Sequence, residues 1–528
     1  MKSIKDHNNI FYLNGFDEVP DWVTESPSDG KKYFPLNCVT RDLFKRDLLP
    51  YCLNGEIDIS REDKFKIRDF VQNPTRELPA KRVIPKGIEL KKHQVDAIEY
   101  ICNYDRFALF YGTGTGKTLI AICAILTHDP KSVLIVTPKK VISQYENQIN
   151  THIGSLNSLH IKITNFESLN SEEPGYEMII VDEAHKAKNF MSEANKNLRV
   201  LAKDARYVYL FTGTPKDRGR HEILPQLAIL DQRVMPVKGR IYDRYFHIND
   251  YFNPDKELRQ FSAELTKVIK CYSYGVQTED ALPDLPPEND IKLMCPHPPE
   301  YYDQLRDDRV VKTPAGIAVC ENKGTLRMKL REICAGFLNV ERQEPDGYDY
   351  DIIDGVEIKI PRYKIVKEMV RLTPTKVPLL KTAMMQASHC IVFTEFQNDI
   401  DIVRMAAYDV GKLSYTLKGG TSKKIKLEND QAIDAWKRKQ IDVLILNSKS
   451  GSAGLDLFQS NTIIFYSLPE SFILFSQAKA RIRRYGQTAD KCNYVYLICQ
   501  DSVEEQQYSA LLKKKNFDNK TFKVYKRR

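Results

Sequence analysis

A glycine-rich segment between an apolar strand pattern and a helical pattern constrains the fold most strongly. It runs from Tyr111 to Thr118 and reads Tyr-Gly-Thr-Gly-Thr-Gly-Lys-Thr. Glycines allow backbone N–H groups to close around phosphate oxygens, and the N-terminus of the following helix adds positive potential. The sequence therefore predicts a phosphate-binding loop. The residues expected to wrap the phosphates are Gly112, Thr113, Gly114, Thr115 and Gly116.

Two residues at the end of this loop carry its chemistry. Lys117 is expected to pair with the β- and γ-phosphates, and the Thr118 hydroxyl is expected to reach Mg²⁺. The strict phosphate-loop pattern begins with a glycine at the position of Tyr111. That departure leaves a glycine-rich turn before a helix, without a nucleotide, as the alternative interpretation.

Two adjacent carboxylates follow another apolar strand pattern. Asp182 and Glu183 come directly after Met178–Val181. We predict that Asp182 holds the Mg²⁺ shell and that Glu183 orients and deprotonates the attacking water, because both roles need a carboxylate near the γ-phosphate. Taken alone, the pair is equally well explained as a helix N-cap. Together with the phosphate loop, it predicts an ATP hydrolase with ATP and Mg²⁺ as cofactors.

Short apolar stretches alternate with helical patterns in two separate parts of the chain. Such alternation predicts parallel α/β sheets covered on both faces. The first series has strands at Phe107–Tyr111, Val133–Val136, Ile161–Thr164, Met178–Val181 and Tyr207–Phe211, with helices at Lys117–Thr127 and Val141–Ile149. The second series has strands at Ile391–Thr394, Leu413–Leu417, Val443–Leu446, Thr462–Tyr466 and Tyr494–Ile498.

These two series divide the 528 residues into four predicted segments. Residues 1–85 form an accessory domain of unassigned role, and residues 86–235 form the first lobe. Residues 236–375 form a linker and helical protrusion, with a helix at Leu326–Phe337. Residues 376–528 form the second lobe and a C-terminal brace. A chain of this length exceeds a single hydrophobic core, which favours several domains.

The ordered motifs resemble those of the superfamily-two helicase-like ATPases from about residue 88 to residue 515. The phosphate loop and the acidic pair correspond to motifs I and II. The other matching segments are Leu90–Gln94, Thr137–Lys139 (Ia), Thr164–Glu167 (Ib), Phe211–Pro215 (III), Val392–Thr394 (IV), Ser450–Leu457 (V) and Gln477–Gln487 (VI). The resemblance implies an α/β fold of two tandem RecA-like ATPase lobes, with a small N-terminal accessory domain and an inter-lobe helical insertion.

The resemblance also implies roles for individual residues. Gln94 would read adenine, and four residues would couple hydrolysis to lobe movement: His185, Thr212, Thr214 and Gln477. Contacts to the nucleic-acid backbone would come from Lys139, Lys140, Thr164 and Ser450. Arg481 and Arg484, three apart and expected on one helix face, would act as arginine fingers. The alternative for these two arginines is a solvated basic face.

Several details resemble the Swi/Snf-type branch of DNA translocases. They are the segment Asp182–Asn189, the run Asp284-Leu285-Pro286-Pro287, the pair Gly486-Gln487 and the segment Ser502–Glu505. Tyr145 stands where the branch often has tryptophan, and Cys271–Tyr274 replaces a basic tract. These departures and the short inter-lobe region favour a compact bacterial or viral member over a nucleosome remodeller.

The leading functional hypothesis is an ATP-dependent, sequence-independent translocase whose partner is double-stranded DNA. A strand-separating DNA or RNA helicase and an ATP-gated nucleic-acid clamp are the alternatives. The net charge of +9 is compatible with nucleic acid without requiring it. The 11 cysteines include no Cys-x-x-Cys pair, no apolar run approaches the ~20 residues of a membrane span, and no signal peptide is evident. We therefore expect a soluble intracellular protein without membrane partners.

Overall fold

The computed structural model describes most of the chain and divides it into two compact units, Met1–Pro283 and Asp284–Arg528. The described residues are 2–7, 10–26, 29–35, 37–60, 63, 80–153, 159–217, 219–248, 254–298, 300–353, 356–417, 419, 423–448, 457–518 and 521–524.

The first unit is organised around a six-stranded parallel sheet. Its strand order, from one edge to the other, is Ser273–Val276, Arg106–Tyr111, Tyr207–Phe211, Met178–Asp182, Ser132–Val136 and His160–Thr164. The central strands are almost wholly buried because their runs are apolar on both faces. All five predicted strands of this series are confirmed to within one residue at each end.

Helices cover both faces of this sheet. The helices of the first unit are Cys38–Asp47, Leu49–Leu53, Lys92–Asn103, Lys117–His128, Ile142–His152, Glu193–Leu201, Ile223–Leu230, Lys238–Tyr245, Ser262–Tyr272 and Thr278–Ala281. The strands Phe246–Ile248 and Pro254–Glu257 form a short antiparallel pair. In the chain, this pair lies between the helices Lys238–Tyr245 and Ser262–Tyr272.

The N-terminal residues form a small sheet of their own within the first unit. Its order is Thr24–Glu25, Lys32–Pro35, Ile10–Asn14, Ser3–His7 and Asp58–Ile59. The fully buried guanidinium of Arg244 fastens this sheet to the lobe. It donates to Glu264 at 3.0 Å, and to the carbonyl of Trp22 and the hydroxyl of Thr24 at 2.8 Å each.

The second unit contains another six-stranded parallel sheet. Its order is Glu288–Cys295, Cys492–Cys499, Thr462–Phe465, Cys390–Thr394, Val443–Asn447 and Ser414–Thr416. Its helices are Tyr302–Asp308, Lys323–Ala335, Val377–Gln386, Gln397–Asp409, Lys423–Lys437, Phe472–Lys479 and Val503–Leu512. The predicted strands are confirmed to within two residues, and the two sheets together confirm two tandem RecA-like lobes.

A four-stranded antiparallel sheet completes the second unit. It consists of Val310–Thr313, Gly316–Val319, Phe337–Ile353 and Val356–Arg371 in that order. The last two strands form a long hairpin that the sequence patterns did not predict. The helix expected at Leu326–Phe337 spans Lys323–Ala335 in the structure. It ends earlier than expected because Gly336 adopts a left-handed φ of 99°.

The sequence predicts a linker and helical protrusion at residues 236–375. In the structure, this segment is divided between the two units. The strand Ser273–Val276 pairs in parallel with Arg106–Tyr111, which assigns it to the first sheet. The strand Glu288–Cys295 pairs in parallel with Cys492–Cys499, which assigns it to the second. The first unit therefore continues well past residue 235. Within the described part of the chain, no helix has the length and apolar character needed to cross a membrane.

Candidate nucleotide-binding site

The predicted phosphate loop lies at the carboxyl edge of the first sheet. It joins the strand Arg106–Tyr111 to the helix Lys117–His128. Gly114 and Gly116 adopt left-handed φ angles of 77° and 84°, which favour glycine. A Cβ on Gly116 would collide with the side-chain amide of Gln94. The tyrosine at position 111 is compatible with this loop, since its ring is buried and its hydroxyl donates to the His93 carbonyl at 2.9 Å.

Side chains from the preceding helix hold the loop in shape. Nε2 of His93 lies 2.9 Å from the Thr115 carbonyl oxygen, and Nε2 of Gln94 donates to the same oxygen at 3.2 Å. The Thr115 hydroxyl donates to the Gly112 carbonyl at 2.9 Å. Gln94 is buried and used in these contacts. Its role in reading adenine stays a prediction.

Lys117 begins the helix after the loop. Its Nζ donates to the carbonyl oxygens of Tyr111 at 3.2 Å and Gly112 at 3.1 Å, so the ammonium lies over the loop. Thr118 follows in the first helical turn. The Thr118 hydroxyl and the Asp182 carboxylate are oxygen donors of the kind that Mg²⁺ binds. These residues therefore fit a nucleotide with its cation.

Asp182 is the last residue of its strand and only 6% exposed. Burial first, and then the charge of Glu183, raise the pKa of the Asp182 carboxyl to about 6, whereas the Lys117 ammonium acts in the opposite direction. A carboxylate held in this way gains strongly when a cation neutralises it. This burial argues against a solvated N-cap, and the role of Asp182 as a metal ligand stays a prediction.

Glu183 begins a connected series of polar side chains. It has a left-handed φ of 54°, an unfavourable conformation that non-glycine residues keep mainly at functional sites. Nδ1 of His185 lies 3.2 Å from Oε2 of Glu183 and 3.0 Å from Oγ1 of Thr212. The Thr212 hydroxyl also accepts from the Thr214 backbone N–H at 3.2 Å. The structure thus brings together three of the four predicted coupling residues.

Tyr145 is a residue whose place in the site the sequence did not reveal. It lies on the helix Ile142–His152 and is fully buried. Its hydroxyl completes no hydrogen bond of normal geometry. Burial, followed by the charge of Asp182, raises the pKa of the phenol well above its ordinary value, and the side chains of Thr118 and Asp182 interact with it. In the sequence, Tyr145 is distinguished only by standing where the Swi/Snf-type branch often has tryptophan.

The edge strand Ser273–Val276 supports the loop from the other side. The Gly112 N–H donates to the Val276 carbonyl at 3.0 Å, and the Thr278 hydroxyl donates to the Thr113 carbonyl at 3.2 Å. A Cβ on Gly112 would collide with Thr278. The strand Ser273–Val276 is short and contains polar residues, so the sequence has no apolar run there that would predict a strand.

The predicted nucleic-acid contacts differ in their accessibility. Lys139 and Lys140 are exposed in a short 3-10 helix after the strand Ser132–Val136. Thr164 is buried, and its carbonyl accepts from Thr137 at 3.0 Å. Ser450 and the rest of motif V up to residue 456 lie outside the described residues. All four contacts stay predictions.

Motif VI belongs to the second unit. Gln477 lies on the helix Phe472–Lys479, but this helix ends before Arg481 and Arg484. The prediction that these arginines share a helix face is therefore wrong. The Arg481 carbonyl accepts from the Leu457 N–H at 3.2 Å. The residues that follow the helix form turns. Arg481 is 6% exposed, and burial lowers the pKa of Arg484 to about 10.

Arg483, between these two arginines, has a structural contact of its own. Its Nε donates to the Pro286 carbonyl at 2.9 Å. The neighbouring Lys479 binds Glu288 at 2.5 Å and Asp290 at 2.9 Å. The Leu-Pro-Pro segment is thereby tied to motif VI within the second unit. This contact explains why a third arginine stands between the two predicted fingers.

Comparisons with known families agree with this arrangement. Residues 158–335 match the SNF2-related domain, and residues 375–486 match the helicase conserved C-terminal domain. The chain belongs to the SNF2-related, helicase-like ATPases. The acidic pair of this SNF2-related ATPase lies in the first matched region, and Arg481 and Arg484 lie in the second. Its phosphate loop precedes both, so the loop assignment depends on the geometry above.

Curated relatives of this SNF2-related ATPase are much longer proteins. The ISWI chromatin-remodeling complex ATPase CHR11 of Arabidopsis thaliana is 25% identical over 446 residues, which cover 77% of this chain and 40% of that protein. The SWI/SNF-related matrix-associated actin-dependent regulator of chromatin subfamily A member 1 of Mus musculus is 23% identical over 466 residues, or 80% and 42% of the two chains. The chain thus spans about two fifths of these relatives.

A solved structure is also similar to this SNF2-related ATPase. It is described as the Sulfolobus solfataricus SWI2/SNF2 ATPase core in complex with dsDNA. The two chains are 18% identical with a TM-score of 0.36, and the match covers 84% of this chain and 93% of that one.

Proposed function

We propose that the chain is an ATP-driven, sequence-independent translocase on double-stranded DNA. The observation that supports this most is the grouping of Lys117, Asp182 and Glu183 at one sheet edge, with Glu183 linked through His185 to Thr212. A motor needs its hydrolytic carboxylate connected to elements that can respond to the nucleotide. The series from Glu183 to Thr212 provides such a connection.

Each residue of this group has a separate task in hydrolysis. The Lys117 ammonium pairs with the β- and γ-phosphates, and Glu183 orients the attacking water and accepts its proton. Thr118 and Asp182 hold Mg²⁺, which neutralises charge on the phosphate oxygens. The Tyr145 hydroxyl, next to both of these ligands, restricts their orientation. The desolvated surroundings of Asp182 strengthen its attraction to the cation.

The second unit supplies the arginines that make hydrolysis depend on nucleic acid. Arg484 and Arg481 are placed by motif VI to neutralise charge that develops on the transferred phosphoryl group. An arginine finger contributes ~10³–10⁵ in rate. Nucleic acid that binds both lobes and brings the arginines to the phosphates would therefore stimulate turnover.

Duplex DNA is the proposed track because the relatives are named as a chromatin-remodeling complex ATPase and a regulator of chromatin. Exposed Lys139 and Lys140 offer phosphate contacts, and such contacts position a protein without reading bases. Binding should therefore be independent of sequence and should weaken steeply with salt.

Steady-state ATPase rates with no nucleic acid, single-stranded, duplex and forked DNA, and RNA test this proposal. Duplex DNA should stimulate hydrolysis most. ATP should also drive displacement of a third strand from a triplex while a forked duplex stays paired. Extensive unwinding of the fork without duplex-stimulated hydrolysis would instead establish a strand-separating helicase. Nucleic-acid binding that depends on ATP without any displacement would establish a clamp.

A further inference from the structure

The long hairpin of the second unit presents two chemically different faces. Residues that oppose each other in an antiparallel pair lie on the same face. The register pairs Glu341 with Lys367, Gln343 with Ile365, Pro345 with Tyr363 and Tyr348 with Pro361. Alternation along the second strand adds three more residues to this face. We call it the tyrosine face. Its members include Glu341, Tyr348, Lys359, Tyr363, Ile365, Lys367, Met369 and Arg371.

Large apolar side chains on the tyrosine face are open to solvent. Tyr348 is 54% exposed, Tyr363 is 53% exposed and Ile365 is 65% exposed. Nζ of Lys359 lies 3.9 Å from the centroid of the Tyr348 ring, so a cation already covers one side of that ring. Large apolar side chains that lie exposed together on one face can mark an interaction site.

The charges of the hairpin separate in the same way. The opposite face carries ion pairs within 4.0 Å, namely Arg342–Glu344, Arg342–Glu368, Arg362–Asp349 and Lys364–Glu344. On the tyrosine face, Lys359, Lys367 and Arg371 form no ion pair with any described residue, and by register and alternation its acids are Glu341 and Glu357. The cations of the tyrosine face are therefore available to bind phosphates, whereas those of the opposite face form ion pairs.

We propose that the tyrosine face binds single-stranded nucleic acid, with the tyrosines stacked on unpaired bases and the three cations on phosphates. Every base has a π-face, so such stacking is independent of sequence. In a duplex those faces are covered by neighbouring bases, which leaves unpaired nucleotides as the occupant. The proposed translocase function supports only the choice of DNA over RNA. The inference adds a site for unpaired arms or gaps beside the duplex track.

Fluorescence anisotropy with a labelled oligothymidylate tests the tyrosine face. The double change Tyr348→Ala and Tyr363→Ala should weaken binding about 10-fold for each lost stacking contact. Changing Lys359 and Lys367 to alanine should lower the salt dependence, by a slope of about 0.7 for each lost phosphate contact. Ile360→Ala is the matched control, because Ile360 is 42% exposed on the opposite face. Thermal midpoints of all variants verify that the hairpin variants are folded.

Binding and hydrolysis report separately on the two proposals. Duplex-stimulated ATP turnover by the unaltered chain is measured in parallel, so a lack of turnover would reject the translocase and leave the oligothymidylate result to judge the tyrosine face. Equal oligothymidylate affinity in the unaltered chain and the tyrosine double variant would overturn the inference. That result would assign the exposed rings to a protein partner. An equal loss in the Ile360→Ala control would also overturn it.

Discussion

Replacing Asp182 by asparagine should stabilise the nucleotide-free protein while abolishing Mg²⁺-dependent turnover. The folded environment raises the pKa of this carboxyl from 3.8 to about 6. That difference of about two pH units corresponds to about 3 kcal/mol at ~1.4 kcal/mol per unit. Asparagine can still accept the 3.0 Å hydrogen bond from the Glu183 N–H. The raised pKa already includes the attraction of Lys117, so removing the buried charge should give a net gain of about 1–3 kcal/mol.

The pH dependence of this effect has a defined sign. A raised carboxyl pKa means that the folded state holds the proton more tightly than the unfolded state, so its stability is greatest at low pH. The ionised carboxylate destabilises the folded protein above about pH 6 and has no such effect below about pH 4. The advantage of Asp182→Asn should therefore be full at pH 8 and should diminish toward pH 5.

Thermal unfolding without Mg²⁺ measures the effect. A gain of 1–3 kcal/mol should raise the unfolding midpoint of the first unit by about 2–6 °C at pH 8. Added Mg²⁺ and ATP should stabilise the unaltered protein through binding and should stabilise the variant much less. A variant that is less stable at pH 8, or an advantage of the same size at every pH, would refute the desolvation of Asp182.

Four further substitutions test the same site. Lys117→Ala or Glu183→Gln should abolish ATP turnover, since each removes a group that we propose to act on the phosphates or the attacking water; full turnover in either variant would show that the site is misassigned. Tyr145→Phe removes the buried hydroxyl beside Thr118 and Asp182, so half-maximal turnover should require more Mg²⁺; an unchanged Mg²⁺ requirement would show that the phenol does not orient these two residues. Gly112→Ala should abolish nucleotide binding in a filter assay, because its methyl group meets Thr278; normal binding would contradict the packing of that edge strand.

The central strands were predictable from sequence because each is a short run that is apolar on both faces. Met178–Asp182 and Tyr207–Phe211 are examples, buried along their whole length. Two of the edge strands lack this signal, although the edge strands His160–Thr164 and Ser414–Thr416 were predicted. Glu288–Cys295 alternates exposed and half-buried residues, and Ser273–Val276 is short and contains glycine. Pairing with a neighbouring strand decides their conformation, and a single-sequence pattern does not contain that information.

The candidate site was predictable where one local pattern specifies it. The glycines, Lys117 and the acidic pair at Asp182 lie next to one another in sequence or at strand ends. Tyr145 and Thr278 were missed because their roles depend on side chains distant in the chain. The helical expectation for Arg481 and Arg484 was wrong for a related reason. The hydrogen bond from Leu457, more than twenty residues earlier, holds the Arg481 carbonyl outside a helix.

Duplex-stimulated ATP turnover by Arg484→Ala tests the central claim most directly, namely that Arg484 acts as an arginine finger in hydrolysis. Arg483→Ala is the matched control, because Arg483 binds the Pro286 carbonyl within its own unit. We predict that Arg484→Ala binds ATP normally and loses the stimulation by duplex DNA, whereas Arg483→Ala keeps it. Undiminished stimulation in Arg484→Ala would contradict its proposed role as an arginine finger.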